Sequence, residues 1–163
     1  MRRGVRVAVD VGSVRVGVAR SDPDGILAVP VETVRRTPAD DGTARLAALV
    51  AEYEAFEVVV GLPRSLDGRN RKASNLARNY AAHLARLVAP VPVRMVDERF
   101  TSATAHQAMT ASGLPGRSQR AVVDQVAAVI VLQHALDIER STGREPGQLV
   151  HAGGQAVEDT TRD

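Results

Sequence analysis

The chain has 163 residues, enough for one domain with a substantial core, and its 44% hydrophobic and 25% charged residues are typical of a globular protein. The absence of cysteine excludes disulfides, thiolate zinc sites and cysteine nucleophiles, so a metal would bind oxygen or imidazole. The net charge is +2, but 20 of the 21 basic residues precede Glu145, against 15 of the 19 acidic ones, which suits either a polyanionic partner or simple solubility.

The N-terminal segment is basic and then strand-like. Asp10 interrupts its apolar run too early for the core of a signal peptide. The sequence contains no stretch of about eighteen uninterrupted apolar residues, the length that a membrane-spanning helix needs. We therefore expect a cytoplasmic protein.

Three short strands are predicted at the start of the chain. Valines at every second position of residues 5–11 indicate a strand from which Asp10 points away from the valine face. Residues 16–21 alternate in the same way and predict a hairpin partner. The turn signal at 22–25 precedes a third strand over residues 26–31. Because the connections are short, the three strands should form an antiparallel meander.

After the meander, the pattern alternates between helices and strands. Leu46, Leu49 and Val50 have helical spacing, whereas residues 57–61 form a continuous apolar run, as in a strand covered on both faces. The predicted order is a helix over 40–53, a strand over 57–61, a loop over 62–71, a helix over 73–88, a strand over 91–96, a short helix from Ser102 to about residue 111, and a long helix over 120–140.

The end of the chain has a different composition. Residues 141–163 are rich in Gly, Thr and acidic residues and are predicted to be a disordered tail behind one domain over residues 1–140. The elements predict an α/β domain with a five-stranded mixed sheet, three antiparallel strands followed by parallel crossovers, flanked by helices. This is the order of elements in ribonuclease H-like domains.

Acidic residues far apart in the chain can converge in such a sheet. Asp10 lies in the first strand, Asp97 and Glu98 end the last strand, and Asp124 lies one turn into the long helix. If the first and last strands are neighbours, these positions meet. Side chains alternate along a strand, so only one of the adjacent acids shares the face of Asp10; we expect Glu98, with Asp97 as the alternative. Small residues beside Asp124 would let its helix approach the sheet closely.

Crowded carboxylates repel one another unless a cation neutralises them. Mg²⁺ or Mn²⁺ is the expected cofactor, because these hard cations prefer oxygen ligands and complete their shells with water and phosphate oxygens. Two such ions would activate a water and stabilise the leaving oxygen of a phosphodiester. The spacing of the four histidines indicates no metal site. The glycines of residues 12–17 would let a phosphate backbone pass near Asp10.

Four segments of the sequence resemble the YqgF, or RuvX-like, family of pre-16S rRNA nucleases and Holliday-junction-resolvase homologues. They are VAVDVGSVRVGVARSD, VVVGLPRSLDGR, VDERFTSATA and VDQVAAVIVLQ, in family order and spanning residues 5–136. The resemblance implies the ribonuclease H-like fold and a divalent-metal nuclease site at Asp10, Glu98 and Asp124, with Asp97 possible as a further metal ligand. It also implies processing of the 5′ end of the 16S rRNA precursor in ribosomal precursor particles.

Each candidate residue also has a structural interpretation. Asp10 could form a buried ion pair with Arg15, Glu98 could pair with Arg99, and Asp124 could simply favour the helix dipole. Two arginine-rich clusters, one in and after the loop over 62–71 and one before Asp124, are candidates for a phosphate track or for ordinary solvated surface. The candidate nucleic-acid-binding residues are Arg15, Arg64, Arg69, Arg71, Lys72, Arg99, Arg117 and Arg120.

Four functions compete on this evidence. The leading hypothesis is a metal-dependent endonuclease acting on structured RNA, as a monomer or weak homodimer. The second is a resolvase of branched DNA, which would need a symmetric dimer for paired cuts. The third is a non-catalytic ribosome-assembly module that binds nucleic acid. The fourth, an actin-like kinase, requires two such domains, and the chain is too short for them.

Overall fold

The computed structural model describes residues 1–63, 71–98 and 116–152, with side chains of the last segment from residue 121 onward. A six-stranded mixed sheet in the order β3-β2-β1-β4-β5-β6 forms its centre. The strands are β1 (Arg6–Val11), β2 (Arg15–Ser21), β3 (Ala28–Arg35), β4 (Glu57–Pro63), β5 (Val93–Glu98) and β6 (Gln148–Val150). The helices are α1 (Thr43–Glu52), α2 (Arg71–Val88) and α3 (Gly116–Thr142).

The sheet topology confirms the predicted fold class. Strands β1, β2 and β3 pair antiparallel, and β1, β4 and β5 pair parallel through helical crossovers. Strand β3 begins two residues later than predicted, because Asp22 Oδ1 accepts hydrogen bonds from the backbone N–H groups of Ile26 and Leu27 at 2.8 Å and holds both residues in the turn. The short helix predicted from Ser102 lies outside the described residues.

Each face of the sheet packs against its own helices. Val7 and Val9 point to the core shared with α1 and α2, and the intervening Ala8 points to the core shared with α3. Asp10 follows Ala8 by two residues and therefore lies on the α3 face. The valine stripe and the acidic position thus occupy opposite faces, as the alternation predicts.

The sheet has six strands instead of the predicted five, because part of the expected tail folds back. Gln148–Val150 pairs antiparallel with β5, and Val150 is buried. Arg94 of β5 donates to the carbonyl of Pro146 at 2.7 Å and pairs with Glu145 at 3.0 Å. A three-residue strand in a glycine-rich segment has too few apolar positions to show a period, so composition alone misses it. Residues 153–163 lie outside the described part of the chain.

Helix α3 is apolar on most of its circumference. Ala121–Thr142 is long and apolar enough to cross a membrane by length and composition alone. In the structure, however, Ala128, Leu132 and Ala135 pack on the sheet in the second core. Apolar residues of α3 therefore pack the helix against the sheet.

Buried ion pairs attach the C-terminal end of α3 to the start of the sheet. Arg6, 1% exposed, pairs with Glu139 at 2.7 Å, and Arg2 pairs with Glu57 at 2.8 Å. The guanidinium groups of Arg2 and Arg6 lie 5.0 and 4.8 Å from the ring centroid of Phe56. This network lies at the strand starts, away from Asp10, and fixes how α3 crosses the sheet.

Candidate active site

The structure brings Asp10 and Glu98 together across an intervening strand. The condition under which the sequence lets the acids converge, that the first and last strands are neighbours, is not met, because β4 lies between β1 and β5, and β6 follows β5. Nevertheless the carboxyl groups of Asp10 and Glu98 lie close enough for each to shift the pKa of the other. This approach is possible because the carboxylate of Glu98 lies over β4 at a residue without a side chain.

That residue is Gly61, which the sequence analysis did not select. A Cβ atom placed there would lie 2.2 Å from Glu98 Oε2 and 3.0 Å from Cγ2 of Val131. Glycine is therefore required by the close approach of a carboxylate, not by an unusual backbone angle. The signal available in the sequence was a glycine interrupting the apolar run of β4, which often marks a close approach.

Enclosure within the protein changes the ionisation of both acids. Burial and, to a smaller extent, the neighbouring charge of Asp10 together raise the pKa of Glu98 to about 9. Burial, together with the negative charge of Asp124, raises the pKa of Asp10 to about 6, against the lowering effect of the neighbouring Glu98 carboxyl. The two carboxyls titrate as a coupled pair, so at neutral pH they hold about one proton between them.

Asp124 reaches the same region from α3. The Nε–H of Arg15 donates to its Oδ2 at 2.7 Å. Arg15 therefore pairs with Asp124, not with Asp10 as the structural interpretation of the sequence supposed. The backbone of Asp124 lies directly on β2, because a Cβ atom at Gly17 would be only 1.9 Å from its carbonyl oxygen. The absence of a side chain at Gly17 thus lets α3 pack directly on β2, and the backbone of α3 occupies the space where a side chain would lie.

The two adjacent acids at the end of β5 point to opposite faces. Glu98 is 8% exposed and follows Val96 into the core under α3, whereas Asp97 is exposed and follows Met95 on the other face. The alternation that selected Glu98 as the partner of Asp10 therefore agrees with the geometry. Asp97 belongs to a different surface from the Asp10–Glu98 pair.

The donor set fits a hard divalent cation in chemistry. Oε2 of Glu98 is a buried oxygen without a hydrogen-bond partner among the described residues, the condition that a cation would relieve. Asp10 supplies a second carboxylate beside it. As the side chains stand, however, no three acidic or imidazole groups in the described segments are gathered around one point for a metal. The third nearby acid, Asp124, instead forms an ion pair with the guanidinium group of Arg15.

Few of the predicted phosphate-binding residues fall within the described side chains. Arg71 and Lys72 are exposed at the first turn of α2, which Ser74 ties to the end of β4 by donating to the carbonyl of Pro63. Arg71 and Lys72 therefore lie near the C-terminal end of β4, the strand that contains Gly61. The side chains outside the described part of the chain are those of Arg64, Arg69, Arg99, Arg117 and Arg120.

Fold and sequence place the chain in a class of nucleases. The solved structure of Thermus thermophilus RuvC in complex with a Holliday junction substrate matches with a TM-score of 0.53 at 17% identity, over 85% of this chain and 97% of that one. That likeness identifies the ribonuclease H-like fold. The family described as "RuvX: Holliday junction resolvase" matches residues 4–138. The chain belongs to this family and is a nuclease.

Curated relatives are similar over nearly the whole length of this chain. A protein of Thermobifida fusca is 57% identical over 157 residues, 92% of this chain and 98% of its own. A protein of Streptomyces coelicolor is 57% identical over 150 residues, 92% of this chain and 90% of its own. Both bear the name "Putative pre-16S rRNA nuclease".

Glu98→Gln should stabilise the metal-free protein at alkaline pH. The folded-state pKa of Glu98, about 9, lies above the ordinary value of 4.5, so the folded protein holds the proton more tightly than the unfolded chain. Wild-type stability should therefore fall as pH rises from about 5 to 9, by on the order of several kcal/mol, and the neutral amide should avoid most of this loss. Thermal melts in chelator across this pH range measure the difference.

The control for that experiment is Glu32→Gln, which removes a surface acid paired with Arg45 at 2.7 Å. Its melting temperature should follow the wild-type pH profile. Parallel profiles for wild type and Glu98→Gln would contradict the assigned ionisation of the buried pair.

Gly61→Ala should reduce nuclease activity about a hundredfold while the fold persists, because a misplacement of about 1 Å at a catalytic group has effects of that size. The added methyl would lie 2.2 Å from an oxygen at the end of a flexible side chain, so the carboxylate of Glu98 should move away from Asp10 and the sheet should stay closed. Initial cleavage rates and melting temperatures measure the two effects separately.

Gly143→Ala is the matched control, because its added methyl has no atom within 4 Å. Its φ of 69° implies a cost in stability of about 1 kcal/mol, without contact with the site. Unchanged activity in Gly61→Ala would show that the position of Glu98 is not important for cleavage.

Proposed function

We propose that the protein is a divalent-metal-dependent endonuclease that hydrolyses phosphodiester bonds in structured RNA and processes the 5′ end of pre-16S rRNA. The observation that carries this proposal is the buried carboxyl group of Glu98, which lies over Gly61 with its Oε2 unpartnered among the described residues and close enough to Asp10 for each acid to shift the pKa of the other. Asp124 is also close enough to raise the pKa of Asp10. Acids with raised pKa values in a nuclease fold are characteristic of a functional site. The names of the curated relatives supply the substrate.

The proposed ligands are Asp10 and Glu98, completed by Asp124; Asp97, which the sequence offered as a further ligand, points to the other face of β5 and is not included. A bound Mg²⁺ or Mn²⁺ would lower the pKa of a water and stabilise charge on phosphate oxygens. The chain itself positions the acids: Gly61 makes room for Glu98, and Gly17 lets α3 carry Asp124 close to β2. When a cation binds between Asp10 and Glu98, the two carboxyl groups must release the proton that they share.

The phosphate backbone of the substrate is proposed to contact arginines around the strand ends. Arg71 and Lys72 are exposed and ready for such contacts, and Arg15 lies at the site itself. Contacts of this kind contribute affinity without sequence information, so binding should weaken as salt is added. We propose that the protein acts in the cytoplasm on ribosomal precursor particles, as a monomer or weak homodimer.

Cleavage of branched DNA is the second candidate function. The family description and the likeness to a RuvC–junction complex favour it. A resolvase makes paired cuts, which a symmetric dimer would deliver. A third candidate, a ribosome-assembly module without catalysis, would need the same basic surface but no cation.

A side-by-side assay of precursor rRNA and a synthetic four-way junction separates these functions. We expect the precursor to be cut at its 5′ end only with Mg²⁺ or Mn²⁺, and the junction to remain intact, with Asp10→Asn as the control for contaminating nuclease. Paired cuts in the junction by a dimeric protein, with the RNA untouched, would support the resolvase. Binding of either substrate without cleavage in any divalent metal would support the assembly module.

A further inference from the structure

Arg15 holds the third acid of the site. Its Nε–H donates to Oδ2 of Asp124 at 2.7 Å, with the two side chains 35% and 22% exposed. Among the residues that the structure describes, Asp10 and Glu98 have no ion-pair partner, and the guanidinium of Arg15 is the positive charge that contacts an acid of this cluster. It occupies one of the two carboxylate oxygens with which Asp124 could bind a metal ion.

We propose that Arg15 is a resident counter-ion that competes with the divalent cation for Asp124. This inference rests on the proposed metal-dependent function and adds a switch between two states of Asp124. In one state the guanidinium neutralises the carboxylate, and in the other the cation does so and Arg15 moves away.

The charges explain why both cations cannot share Asp124 without cost. A guanidinium 2.7 Å from Oδ2 would repel a divalent ion bound to the same carboxylate. The observed arrangement agrees with competition, because Arg15 holds Asp124 while the described side chains form no three-ligand group for an ion. Release of Asp124 from Arg15 is the step that would complete such a group.

Arg15 has room to move. It begins β2, directly after the hairpin residue Val14, which is 51% exposed. A side chain that is one-third exposed at the first residue of a strand can turn to solvent without opening the core. The loss of one partly exposed ion pair is a modest cost, which a divalent cation can offset.

The test is Mn²⁺ binding to wild type and Arg15→Gln, stripped of metal and measured by isothermal titration calorimetry. Removal of the competing charge should tighten Mn²⁺ binding about fivefold. In thermal melts, the metal-free variant should have a lower melting temperature than wild type. Saturating Mn²⁺ should raise the melting temperature of the variant by more than it raises that of wild type. Arg45→Gln, which removes a surface arginine paired with Glu32 at 2.7 Å, should behave as wild type.

The outcomes separate this inference from the function on which it rests. Unchanged or weaker Mn²⁺ binding in Arg15→Gln would overturn competition and assign Arg15 to orienting Asp124 for the metal, while metal dependence would stand. If wild type binds no Mn²⁺ and cleaves without divalent ions, both the function and the inference are overturned.

Discussion

Replacing Asp10 by asparagine is expected to lower the rate of cleavage on the order of a thousandfold, because a carboxylate at the centre of the proposed cation site becomes a neutral amide. The side chain keeps its shape, and its neighbours Glu98 and Asp124 lose a repulsive charge. The metal-free variant should therefore be at least as stable as wild type. Initial rates on precursor rRNA and thermal melts in chelator measure the two effects.

The matched control is Asp137→Asn, which neutralises an acid on the exposed side of α3, 3.4 Å from Arg140. It should cleave at the wild-type rate, since Asp137 lies far along the helix from Asp124. Full activity in Asp10→Asn would show that the acid pair is structural and would remove the basis of the proposed mechanism. A folded variant that binds substrate but does not cut it is the expected result.

Replacing Gly17 by alanine is expected to destabilise the protein by about 3 kcal/mol and to lower its melting temperature by roughly 10 °C. The added Cβ would lie 1.9 Å from the carbonyl oxygen of Asp124, 2.3 Å from its carbonyl carbon and 3.0 Å from the backbone nitrogen of Gln125. These are backbone atoms, so the whole helix must move away from β2. Thermal melts of metal-free protein give the magnitude.

The same substitution should also affect the site, because α3 carries Asp124. Asp10 faces Gly17 in the register of β1 and β2, so a helix displaced at this point changes the distance between two of the acids. Gly143→Ala again serves as the control, with a cost of about 1 kcal/mol and no effect on cleavage. A Gly17→Ala variant as stable as wild type would show that the helix can shift on the sheet without loss.

Local patterns predicted most of the scaffold. Period-two valines located β1 and β2, a continuous apolar run located β4, and small residues at 127, 128 and 131 predicted the close packing of α3, where they are buried. Strand β6 escaped prediction because its three residues pair through contacts with β5 that no local pattern encodes. The strand order was missed for a related reason: pairing partners are chosen by the tertiary packing.

For the candidate site, too, some features followed from local sequence patterns and others depended on tertiary structure. Alternation along β5 showed that only one of Asp97 and Glu98 can share the face of Asp10; we expected Glu98, and its buried position agrees with that choice. The sequence could not show that β4 separates the two acids, because this depends on strand order. The role of Gly61 follows only from that order, since the glycine matters because a carboxylate from the next strand crosses it.

The amino-acid sequence by itself determined the class of fold and the family, because periodicity and family motifs are written in local order, and it supplied the three acids that we propose as ligands. Tertiary structure alone decided which groups touch: Glu98 over Gly61, α3 on Gly17, and Arg15 on Asp124. The physical reason is that pKa shifts and ion pairs depend on distances and burial between residues far apart in the chain. Arg15 and Asp124 are 109 positions apart and form one ion pair.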